Sequence, residues 1–118
     1  MIVEDEPDVL VIYSQVLREA GYNVVEATNG IEGLKLATSV IWDLMLLDIM
    51  IPGEDGIHVL KTLKEDPVLH LKPVILLTNL DSETIINESF NLGADGYLIK
   101  SEITPDKIVT EVGSALNK

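Results

Sequence analysis

The chain has 118 residues, 47% of them hydrophobic and 24% charged, which excludes a disordered segment and fits one globular domain over 1–118. Against 20 acidic residues stand 8 basic ones, and a formal charge of −12 argues against direct nucleic-acid or membrane-surface binding. Cysteine is absent, which removes disulfides and thiolate metal sites.

Met1–Val3 reads as a first, short strand that looks clipped, followed by the acidic trio Glu4, Asp5 and Glu6. Asp8–Ala20 carries Val9, Ile12, Val16 and Leu17 at helical spacing, with Gly21 as its stop. Asn23–Ala27 is the second strand, and Ile31–Thr38 the second helix. Leu44–Leu47, a continuous apolar run, is the third strand and meets Asp48. The loop Ile49–Gly56, in which Pro52 and Gly56 fit a fixed turn, leads to a helix over Ile57–Leu63. Val74–Leu77 forms the fourth strand and ends in Thr78. Ser82–Leu92 pairs Ile86 with Phe90 at i,i+4 as its buried stripe. Ile85 is either exposed or ordinary core, and helical-face arithmetic favours core. Tyr97–Ile99 is the fifth strand and ends in Lys100. Thr104 and Pro105 read as the N-cap and first residue of a last helix through Ile108, Val112 and Leu116.

Strand and helix alternate through the whole chain, which predicts an α/β doubly wound (βα)5 sandwich of flavodoxin-like form. Right-handed crossovers leave few ways to build its parallel sheet, one of which has the order 2-1-3-4-5 with a site outside the carboxyl ends of strands 1 and 3. No apolar run approaches the ~20 residues of a membrane span, and MIVEDEP is unlike a signal peptide, so a cytoplasmic protein is expected.

Parallel strands share one carboxyl edge. That edge would gather the trio Glu4, Asp5 and Glu6 with Asp48, Thr78 and Lys100. Each is weak evidence alone, because strand ends often carry solvated or capping polar residues. Together they make coherent chemistry. Close carboxylates repel unless a cation sits among them, and Mg²⁺ suits one or two carboxylates with water and phosphate oxygens. Beside such a metal a central carboxylate can attack phosphorus. Lys100 and Thr78 would then meet phosphoryl oxygens.

With VEDEP at 3–7, LLDIMIPGEDG at 46–56, PVILLT at 73–78 and GADGYLIKS at 93–101, the sequence resembles a response-regulator receiver domain of two-component signalling, with a chemotaxis-regulator-like fold. The resemblance implies a phosphorelay switch rather than a turnover enzyme. Asp48 matches the phosphoacceptor, Asp5 the direct Mg²⁺ ligand, and Glu4 a ligand acting through water. The backbone carbonyl of Met50 matches a further ligand. Lys100 matches the family lysine, Thr78 the switch hydroxyl, and Tyr97 the aromatic that turns inward with it. Implied partners are a histidine kinase or histidine phosphotransfer protein and an output domain or effector. A homodimer through the fourth helix, fifth strand and fifth helix would be ordinary for the family.

Departures are informative. Asn79 stands where the family has a small residue, and Ser101 where it has a proline after a cis bond. Lys100–Ser101 is therefore either strained or trans. Met50 and Leu80, at positions that influence hydrolysis in receivers, are apolar, so slow autodephosphorylation is expected. A pseudo-receiver remains open through Asn79 and Ser101. An acidic loop after strand 1 opposes a flavodoxin-like electron carrier, which needs a hydroxyl- and glycine-rich loop there. A haloacid-dehalogenase-type phosphatase would want a second Asp, which Asp48-Ile49-Met50 does not supply. His58 and His70 are isolated, so no zinc site is expected, and Trp42 reads as a packing residue.

Overall fold

A computed structural model describes residues 1–50, 55–79 and 83–117. Pro52, Leu80 and Ser82 lie outside the described residues. The elements, in chain order, are β1 (Ile2–Val3), α1 (Pro7–Glu19), β2 (Glu26–Ala27), α2 (Gly30–Ala37), β3 (Met45–Asp48), α3 (Gly56–Glu65), β4 (Val74–Thr78), α4 (Glu83–Asn91), β5 (Gly96–Ile99) and α5 (Pro105–Leu116). A single 3-10 turn, Leu69–Leu71, precedes β4. All five strands pair in parallel, in the order β2-β1-β3-β4-β5.

The apolar runs of β3 and β4 explain the layering. Successive side chains point to opposite faces of a strand. Met45, Leu47, Val74 and Leu76 therefore pack with Ala37 of α2 and with Val59, Leu60 and Leu63 of α3. Leu46, Ile75 and Leu77 pack on the other face with Leu10, Tyr13 and Leu17 of α1 and Ile108 and Val112 of α5. Both faces are covered, so a strand alternating apolar and polar residues would bury charge.

Local signals set the helix ends. The Asn29 side chain accepts from the Glu32 N–H at 2.8 Å to start α2, and Asp55 accepts from the His58 N–H at 2.9 Å to start α3. Gly21, at φ 98°, takes the left-handed conformation that closes α1. Gly56 is required for another reason. A Cβ there would sit 2.5 Å from both the Asp48 carbonyl oxygen and the Ile49 Cα, so glycine lets α3 begin against the end of β3.

Two expectations need correction. In α4, Phe90 is not part of a buried stripe but 43% exposed. The face turned to the sheet runs through Ile85, buried Ser89 and Leu92. Ser89 tolerates burial because its hydroxyl donates to the Ile85 carbonyl at 2.8 Å. The strand expected from Asn23 pairs only over Glu26–Ala27, because β1 offers Ile2 and Val3 as its ladder partners. Trp42 is buried, with its indole N–H donating to the Ala37 carbonyl at 3.0 Å, as a packing residue should.

Candidate functional site

The register decides what meets at the carboxyl edge. Val3 lies opposite Leu47, so Glu4 follows beside Asp48. Asp48 lies opposite Leu77, and Thr78 opposite Ile99, so Thr78 and Lys100 continue the row. The Lys100 N–H donates to the Thr78 carbonyl at 2.8 Å, which pins the lysine backbone to the end of β4. The Lys100–Ser101 bond is trans.

The side chains converge on the Lys100 ammonium. Its Nζ lies 2.9 Å from Asp48 Oδ2, 3.0 and 2.8 Å from the two Glu4 oxygens, and 3.3 Å from Glu6 Oε1. Glu4, Asp48 and Thr78 are almost fully buried, at 0%, 3% and 1% exposure. The second Asp48 oxygen, Oδ1, accepts from the Met50 N–H at 3.1 Å. The Glu6 N–H donates to Glu4 Oε1 at 3.0 Å. Each carboxylate is thus held by a specific donor, as buried charge demands.

Charge balance is incomplete. Burial pushes the Glu4 carboxyl up to about 7, against hydrogen bonds from Lys100 and the Glu6 N–H, and the Asp48 charge pushes the same way as burial. Burial also opposes the Lys100 ammonium, but its hydrogen bonds to Glu4 and Asp48 and their charges win, holding it above the ordinary lysine value. Glu4 Oε2 is fully buried, and the Lys100 ammonium 2.8 Å away is its ion-pair partner.

One oxygen each from Glu4, Glu6 and Asp48 lies within 4.8 Å of the others. These oxygens suit a hard divalent cation, which prefers oxygen donors. The expected residues are therefore distributed unevenly. Glu4, Asp48 and Lys100 are in direct contact, and Thr78 ends the adjacent strand. Asp5 is exposed and stands outside the carboxylate trio. The Met50 side chain is exposed while its N–H reaches Asp48. Tyr97 is 39% exposed and packs edge-on against Phe90, with ring centroids 5.9 Å apart.

Two residues were not singled out by the sequence. Glu6 was visible as the third acid of the trio, but its inward turn was not. Tyr13 shows in sequence as one more apolar position of α1. Its phenol is raised mainly by burial and feels the charges of Lys100, Glu4 and Glu6.

Comparison with known proteins places this edge in context. Residues 1–113 match the response regulator receiver domain family. The chain is 33% identical over 118 residues to the alkaline phosphatase synthesis transcriptional regulatory protein PhoP of Bacillus subtilis (strain 168), covering 100% of this chain and 48% of that protein. It thus spans about half the length of the curated relatives it matches. A CheY-like response regulator receiver domain protein from Methanospirillum hungatei JF-1 superposes with a TM-score of 0.91 at 28% identity, covering 98% of this chain and 90% of that one. The Mn(2+)-bound form of response regulator Rcp1 superposes with a TM-score of 0.82 at 28% identity, covering 96% and 89%.

Proposed function

The chain belongs to the response regulator receiver domain family of two-component signalling, and on that premise we propose that Asp48 accepts a phosphoryl group from a phosphohistidine. The supporting observation is Asp48 itself. It is buried at the end of the central strand, with one oxygen 2.9 Å from an ammonium and the other 3.1 Å from a backbone N–H.

In the transfer, an Asp48 carboxylate oxygen forms the new O–P bond as the P–N bond to the donor imidazole breaks. The imidazole leaves with that electron pair and takes a proton from solvent. Positioning and charge neutralisation carry such a step. Mg²⁺ held by Asp5, Asp48 and the Met50 backbone carbonyl, with Glu4 acting through water, would neutralise charge on the phosphoryl oxygens. Lys100 then exchanges a carboxylate for a phosphoryl oxygen, and the Thr78 hydroxyl donates to another. These contacts exist in one of two conformations, so phosphorylation shifts the population towards it, and Tyr97 turns inward.

The donor is a histidine kinase or histidine phosphotransfer protein in the cytoplasm. The whole of 1–118 acts as a single receiver domain, passing its signal to an output domain or effector. The exposed Phe90–Tyr97 pair supports a contact between two copies through the surface of α4, β5 and α5. With Met50 and Leu80 apolar, no side chain at either position orients water, and the aspartyl phosphate decays slowly.

Intact mass after incubation with a small phosphodonor and Mg²⁺ tests the reading. A single phosphoryl adduct is expected, lost in Asp48→Asn and without metal. A folded, Mg²⁺-binding protein that takes no adduct would sink it and leave an unphosphorylated interaction module.

A further inference from the structure

We propose that Met50 is a redox modification site: a peroxide converts its thioether to the sulfoxide, and the sulfoxide shortens the life of a phosphoryl group on Asp48. The second half rests on the reading that Asp48 takes that group. The chain has three methionines, and the fold treats them differently. Met45 and Met1 belong to one core cluster, at 0% and 9% exposure, whereas Met50 is 66% exposed. A peroxide arriving from water therefore meets one thioether. Met50 fills no place in either core cluster, so a polar oxygen added to it disturbs no packing. The same oxygen on Met45 would lie in the core.

The position of Met50 gives the change its consequence. Its N–H donates to Asp48 Oδ1 at 3.1 Å, while Asp48 itself is 3% exposed. The residue is thus anchored on the acceptor carboxylate by its backbone and open to solvent at its side chain. In the oxidation a sulfur lone pair forms the new S–O bond as the O–O bond of hydrogen peroxide breaks. The leaving hydroxide takes the proton of the transferred oxygen and becomes water. Sulfur loses two electrons and the peroxide gains them. A thioether is a weak hydrogen-bond acceptor, whereas the sulfoxide is polar. Its oxygen accepts from a water and holds that water towards phosphorus. The water oxygen forms a new O–P bond as the P–O bond to Asp48 breaks. The Asp48 carboxylate keeps the electron pair, and the proton passes to solvent. The modified side chain stays uncharged, so the acidic edge keeps its charge.

Peptide mass after a limiting dose of hydrogen peroxide tests the first half on unphosphorylated protein. One oxygen should add at Met50 before any adds at Met1 or Met45. Decay of the phosphoryl adduct, followed by intact mass once the peroxide is removed, tests the second. Oxidised wild type should lose its adduct roughly fivefold faster than reduced wild type, the worth of one ordinary hydrogen bond to the attacking water. Methionine sulfoxide reductases acting on both epimers should restore the slow decay. Met50→Leu should decay at the same rate before and after peroxide. The proposal is overturned, with the receiver reading left standing, if oxygen adds first to Met1 or Met45. The same holds if oxidation does not speed decay, or speeds it equally in Met50→Leu. A wild type that takes no phosphoryl adduct overturns both.

Discussion

Two lysine ammonium groups are tucked into opposite ends of the same sheet, and they are not equivalent. Lys64, on α3, donates to the carbonyls of His70 and Lys72 at 3.2 and 3.0 Å and to Asp95 Oδ2 at 3.3 Å. Asp95 in turn accepts from the Val74 N–H at 2.8 Å. This set ties the starts of β4 and β5 to α3. One carboxylate balances one ammonium, and neutral carbonyls do the rest. Lys100 meets three carboxylates, two of them buried. A brace is neutral and satisfied. The carboxyl edge carries excess negative charge, which an incoming cation or proton relieves. Stability alone gives no reason to keep such a cluster.

Removing each ammonium should break this comparison most sharply. Lys100→Met at saturating Mg²⁺ should slow phosphorylation by ~100-fold, because a preorganised charge on the transferring group is lost. Without metal the same variant leaves carboxylates unpaired and should lose ~3–5 kcal/mol of stability in urea unfolding. Its Mg²⁺ affinity should rise, since the ammonium no longer competes. A variant that phosphorylates at the wild-type rate would reduce Lys100 to a second brace.

Lys64→Met should act on folding alone. Asp95 loses its ion pair and two carbonyls lose a donor, a cost of about 2 kcal/mol by urea unfolding. Phosphorylation and Mg²⁺ affinity should stay at wild-type values. Saturating Mg²⁺ at ~100 times its Kd should add about 2.7 kcal/mol to variant and wild type alike, because distant sites add independently. A phosphorylation rate that falls tenfold would show the two ends to be coupled.

The same contrast explains what sequence could reveal. Asp48, Thr78 and Lys100 each follow an apolar strand directly, and parallel register then forces them to one edge. Alternation and crossover handedness narrow the strand order to a few arrangements, of which 2-1-3-4-5 is the one observed. The acidic trio is different. Its residues occupy the turn between β1 and α1, where no periodicity says which side chains face inward. The turn buries Glu4, leaves Asp5 outside and swings Glu6 back over Lys100. The face of α4 was hidden for another reason. Apolar spacing favours Phe90, but Ser89 is the residue that satisfies its own hydroxyl on the preceding turn and fits beneath the helix.

The smallest expected effect concerns protons. Glu4 is raised from 4.5 to about 7, chiefly by burial. Between those values the folded, metal-free protein holds a proton that the unfolded chain has released. Stability from this group is therefore complete below about 4.5 and is lost as pH rises through about 7. Other carboxyls titrate nearby, so the difference between wild type and Glu4→Gln isolates the term. Urea unfolding from pH 5 to 8 without metal should show that difference falling with pH, by at most ~1 kcal/mol per unit. Proton and divalent cation relieve the same excess charge, so saturating Mg²⁺ at pH 8 should restore what the lost proton supplied. A difference that is flat with pH would mean that Lys100 alone balances Glu4, and the excess charge would then rest on Asp48 and Glu6.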